Sequence, residues 1–160
     1  MSAADGWARP APRARWRLHL GAALRWALVW LPTCAGLAAV AATRAPQGGV
    51  ALGVGIAFLG FLQALWWPSL AFEAHRWRVD ATALRVRAGV WWRDDVAVPL
   101  GRVQHVDLRQ GPLDRLFGLA RVSIYTAAGQ GADAEIVGIA RADAEQLRER
   151  LVRAAVDDGV

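Results

Sequence analysis

The chain holds one cysteine, Cys34. No intrachain disulfide is therefore available, and the residue's place in an apolar run suits a small packing side chain. Its three histidines, His19, His75 and His105, stand apart. None has a second histidine, a cysteine or a close carboxylate at the spacing a metal site uses. There is no phosphate-binding glycine loop, and the Gly53-x-Gly55 pair sits inside an apolar run. Ser69, Ser123 and Thr126 lack any local pattern of base and orienting group. The expectation is therefore a non-enzymatic chain with no catalytic residue, metal, cofactor or small-molecule substrate.

Charge is missing too, and in one place. From Val50 to Phe72 the sequence VALGVGIAFLGFLQALWWPSLAF carries no ionisable side chain. About 23 residues at 1.5 Å each give roughly 34 Å, enough for a hydrocarbon core of about 30 Å. A second, alanine-rich run extends from Trp26 to Thr43, with Arg25 at its entrance and Pro32 inside it. Arg25 can snorkel, and a membrane helix tolerates proline where neighbours satisfy the freed carbonyl. Arg44–Gly49 has the Pro and Gly chemistry of a tight reversal. The reading is a transmembrane hairpin over residues 20–72, with spans at about 22–43 and 50–72. A buried core helix and a cleaved signal sequence are the competing readings; the first run begins late and is long for a signal.

Arginines set the expected orientation. Arg9, Arg13, Arg15 and Arg17 precede the first span, Arg76 and Arg78 follow the second, and Arg44 alone lies between. Both termini are then cytoplasmic, with Trp26, Trp30, Trp66 and Trp67 at that boundary. The net charge is +5, which permits a nucleic-acid arm. Basic residues against a membrane span are better explained as an anchor, and no nucleic acid is expected. Residues 1–19 read as a basic tail, with the Ala-, Pro- and Gly-rich Met1–Pro12 disordered. Small residues (Ala35, Gly36, Ala39, Gly49, Gly53, Gly60) suit helix packing within the hairpin rather than a dimer seam.

Past Phe72 the pattern changes to short alternating segments, forming a domain over residues 73–160. Ala83–Ala88 alternates Leu84 and Val86 with Arg85 and Arg87, the period of a half-buried strand. Val90–Leu100, Val103–Leu108, Arg121–Thr126 and Ala134–Ile139 are further strand candidates, and a Gly-rich turn spans Ala128–Gly131. Asp143–Val156 reads as an amphipathic helix with Leu147, Leu151, Val152 and Ala155 on one face. Asp143 and Gln146 stand at capping-box spacing. Six or seven strands and one closing helix make a small α+β unit.

The most distinctive run is Pro99–Ala120. Within it Gly111-Pro112 turns the chain, Leu113, Leu116 and Phe117 form a short apolar face, and Gly118 suits a helix end. Pro99-Leu100, Arg102-Val-Gln-His-Val-Asp107, Gly111-Pro-Leu-Asp-Arg-Leu-Phe-Gly-Leu119 and Asp143-Ala-Glu-Gln-Leu147 together resemble the signature of the bacterial pleckstrin-homology-like (PH-like) membrane proteins of the YdbS-like family. Thr126 and Gly129 match that family's residues after the fifth strand. The resemblance implies a membrane-anchored α+β chain: two transmembrane helices, then a PH-like β-barrel or sandwich of short antiparallel strands closed by a C-terminal helix. It places the chain in the bacterial cytoplasmic (inner) membrane and imports no ligand, because fold does not determine ligand.

Two surfaces are candidates for binding. Leu113, Asp114, Arg115 and Phe117 could meet a protein partner: the chain itself or related PH-domain membrane proteins. Arg76, Arg78, Arg85, Arg87 and Arg93, with Trp91 and Trp92, could meet anionic headgroups of the lipid bilayer. Gln104, His105, Asp107, Gly111, Pro112 and Gly118 read as a structural loop motif, with His105 and Asp107 on one strand face. Asp114 and Arg115 also fit a solvated ion pair or a helix cap.

Overall fold

The computed structural model describes residues 6–43, 46–127 and 131–157. The expected Arg44-Ala45 start of the reversal and most of the Ala128–Gly131 turn, including Gly129, lie outside them. The chain divides into two compact units, one being Leu18–Leu70 and the other the residues on either side.

In the first unit a helix that starts before it, α1 (Pro12–Arg25), continues through a π-helical turn (Trp26–Trp30) into α2 (Leu31–Ala42). The wide turn stands just before Pro32, whose ring would otherwise press on the carbonyl four residues back. The Thr33 hydroxyl donates to the Val29 carbonyl at 2.6 Å, an i−4 back-bond within the helix. α3 (Pro46–Ala74) is the second long helix. Pro12–Ala42 and Gln47–Ala74 are both long and apolar enough to cross a membrane.

The two long helices pack through small residues. A Cβ on Gly53 would overlap the Ala38 Cβ and lie 3.3 Å from the Cys34 carbonyl, while one on Gly49 would run into the Ala41-Ala42 backbone. Cys34 is buried in this seam, and residues 34, 38 and 42 form one i, i+4 row. Ala35, Gly36 and Ala39, expected among the packing residues, fall off that row and are exposed. Trp26 also turns inward: its indole N–H donates to the Ala57 carbonyl at 3.1 Å, and its ring meets Phe61 edge-on at 5.6 Å.

The second unit contains two three-stranded antiparallel sheets, β1-β2-β3 and β4-β5-β6. Their strands are β1 (Arg76–Val79), β2 (Ala83–Ala88), β3 (Asp94–Pro99), β4 (Val103–Arg109), β5 (Leu119–Thr126) and β6 (Ala134–Ala140). A 3-10 corner at Leu100–Arg102 joins the sheets, α4 (Pro112–Leu116) links β4 to β5, and α5 (Arg141–Asp157) closes the domain. The sheets remain separate, so the architecture is the sandwich rather than a closed barrel. Leu84, Val86, Val98, Val122, Ile124 and Ile136 fill the space between them, with Ala144, Leu147 and Leu151 of α5 packed on top.

Three expectations change here. Residues of the supposed disordered tail are folded. The Ala8 amide and carbonyl exchange hydrogen bonds with Trp77 at 2.7 and 3.1 Å, the Ala11 amide donates to the Gly138 carbonyl at 2.8 Å, and α1 begins at Pro12. This arm runs along the free edges of β1 and β6, satisfying backbone groups that would otherwise be open. Gly138, at φ +72, is the bulge that admits it: a Cβ there would sit 2.7 Å from that of Ala14. Val152 is exposed, because it falls one position off the 144–147–151 row. Asp143 lies inside the first turn of α5, which begins two residues earlier; its charge favours that end of the helix without capping it.

Candidate functional site

The Pro99–Ala120 run folds around α4. Pro112 fits the first helical turn, where its missing N–H costs nothing. The Asp114 carboxylate reaches back to accept the Gly111 amide at 3.2 Å. It also receives the Arg17 guanidinium, with Nε to Oδ1 at 2.7 Å and Nη2 to Oδ2 at 3.4 Å. Gln110 ties the ends of the loop together: its amide donates to the Leu119 carbonyl at 2.5 Å and accepts from Arg141 at 2.9 Å. Gly118, at φ +62, then turns the chain into β5.

From sequence, Leu113, Leu116 and Phe117 form one short apolar face, with Leu113 and Phe117 as the candidate partner anchors. The structure keeps Leu113 and Phe117 half-buried and leaves Leu116 71% exposed. The helix ends at Leu116, and Phe117 has already left helical geometry, so the inward pair is i, i+4. Asp114 points inward and pairs with Arg17 rather than Arg115, which is exposed. Of the four partner candidates, Arg115 is thus fully presented and Asp114 is withdrawn. Leu116, part of that apolar face but not among the partner candidates, is its exposed side chain.

The basic strand face is largely self-neutralised. Arg78 and Arg85 share Asp80, Arg78 donating through Nη2 at 3.0 Å and Arg85 Nε standing 3.4 Å away. Arg87 pairs with Asp95 at 2.8 Å. Trp7 lies under two of these cations, its ring centroid 5.3 Å from the Arg78 guanidinium carbon and 4.3 Å from that of Arg87. Among the described residues Arg76 reaches only the Glu73 carbonyl, at 3.5 Å. Beyond the strands, Trp91 and Trp92 are 80% and 86% exposed at the β2–β3 tip beside exposed Arg93.

His105 and Asp107 do meet: Nε2 stands 2.6 Å from Oδ1, and Arg109 donates to the other oxygen at 2.9 Å. The Arg109 hydrogen bond, seconded by His105, holds the Asp107 carboxyl below the usual range. Gln104 is the extra residue of a bulge between Val103 and His105 and is exposed. Ser123 is buried and donates to Glu135 at 3.2 Å, beside the Arg121–Glu135 pair. No group of three metal-ligating side chains occurs among the described residues. The arrangement fixes a sheet surface.

His75 was not singled out by sequence. It is buried, and its Nε2 accepts the Val137 amide at 3.2 Å, which requires that nitrogen to be unprotonated. Burial lowers its pKa from 6.5, opposed by the Glu135 carboxylate. Below about pH 6.5 the unfolded chain takes up a proton that the folded chain resists, so stability falls as pH drops from about 7 to 5. Thermal unfolding across that range should show the loss, and His75→Gln should flatten it; an unchanged slope would remove His75 as the source.

A model of the family described as Bacterial PH domain matches residues 23–155. The UPF0699 transmembrane protein YdbS of Bacillus subtilis (strain 168) is 35% identical over 94 residues, covering 57% of this chain and 57% of that protein. The chain thus matches little more than half the length of that curated relative. No solved structure matches.

Proposed function

This chain belongs to the bacterial PH domain family, and on that basis we propose that it is a non-enzymatic assembly module of the cytoplasmic membrane. It is a membrane protein with a PH-like domain. In the proposed arrangement both termini are cytoplasmic, as the arginine distribution favours, and the domain recruits a second copy or a related PH-domain membrane protein.

The observation that carries this reading is the presentation of α4. Leu116 is 71% exposed next to exposed Arg115, on a loop pinned by Gln110 and Asp114. A rigid apolar anchor needs little ordering on binding, and the arginine beside it is of a type enriched among the residues that dominate interface energetics. Leu113 and Phe117, on the same short segment, are half-buried. Leu116→Asp should abolish the native-gel complex of the full chain in mild detergent while leaving its thermal unfolding unchanged. A complex of undiminished size and yield would refute the assignment.

A further inference from the structure

We infer that the β2–β3 tip is a second membrane contact, with Trp91 and Trp92 lying in the interfacial layer of the bilayer that α3 leaves. This goes beyond the assembly reading and uses different residues. The strand register supplies the argument. β1 starts at Arg76, directly after the α3 terminus at Ala74, and Arg76 pairs with Arg87. Ala88 pairs with Asp94, so the tip projects past the first residue of β1, at the end of the sheet where the chain emerges from α3. The uncharged run of α3 ends at Phe72, four residues before that pairing.

The tip is built to hold its shape. Gly89 has φ +93, and a Cβ there would collide with the Trp92 carbonyl, so glycine is required for the reversal. Two adjacent indoles, 80% and 86% exposed, have an apolar body and one N–H, the combination favoured at a membrane–water boundary. Electrostatics contributes little, since Arg78, Arg85 and Arg87 are spent on Asp80 and Asp95. Among the described residues at that end, Arg76 and Arg93 form no salt bridge; Asp94 adjoins Arg93 in sequence, and Glu73 pairs with Arg9 at 3.9 Å. The contact is therefore aromatic insertion rather than capture of anionic headgroups.

The test uses the full chain carrying Cys34→Ala and Trp92→Cys, labelled with an environment-sensitive fluorophore. It is reconstituted in phosphatidylcholine vesicles with about a quarter phosphatidylglycerol. A matched Arg150→Cys label reports an exposed position on α5, and Trp91→Cys repeats the tip measurement. Lipids spin-labelled near the headgroup should quench the tip labels at least about twofold more than the α5 label, with little change between about 0.05 and 0.5 M salt. Tip labels as accessible to aqueous iodide as the α5 label would overturn the inference. Loss of the lipid quenching at high salt would overturn it as well, by making the contact electrostatic.

Discussion

Gly53→Leu is expected to separate the two long helices, because the new side chain would occupy the position of the Ala38 Cβ. Neither neighbour can yield: one is a methyl group on a helix backbone and the other is the Cys34 carbonyl. Overpacking of this kind costs about 1–3 kcal/mol, and more where backbone must move. Gly55 is the built-in control. It is two residues away with nothing within 4 Å of its Cβ position, so Gly55→Leu should be close to neutral. Unfolding midpoints of the two variants in mild detergent check this. Equal midpoints would mean that the hairpin is not held by small-residue contact.

Arg17→Gln is expected to loosen α4 without disturbing the sheets. The Arg17 and Asp114 side chains are 26% and 11% exposed, so losing the arginine strands a mostly buried carboxylate. Removing one partner of a fully buried pair costs about 3–5 kcal/mol, and partial solvent access brings this nearer to about 1–3 kcal/mol. Adding Asp114→Asn, which removes the stranded charge, should restore much of the loss, giving a coupling energy in a double-mutant cycle. The direct readout is amide exchange at Arg115 and Phe117, whose N–H groups donate to Gly111 and Leu113. Faster exchange there, with β5 amides unchanged, is expected. Unchanged exchange would show that α4 stands without α1.

Much of this was legible in the sequence because the signals were local. The alternation at Ala83–Ala88 reads directly as β2, and Gly111-Pro112 with Gly118 brackets α4. What was not legible depends on partners far along the chain. Trp7-Ala8-Arg9-Pro10 has no periodicity, so nothing local marks it as the cover of two sheet edges. The strand arginines looked available because their neutralisation is set by register: Arg87 meets Asp95 only once β2 and β3 pair. Leu116 shares the apolar character of Leu113 and Phe117, yet only that i, i+4 pair is half-buried, and sequence alone does not show which of the three faces solvent. Asp114 needed Arg17, 97 residues away, to show that it faces inward.

The most direct test of the assembly reading is photocrosslinking in native membranes from a probe at Leu116, with mass spectrometry of the adducts. The account predicts a discrete protein adduct, a second copy or a related PH-domain membrane protein, that disappears when Arg17→Gln loosens α4. Adducts to lipid alone from this position would contradict it.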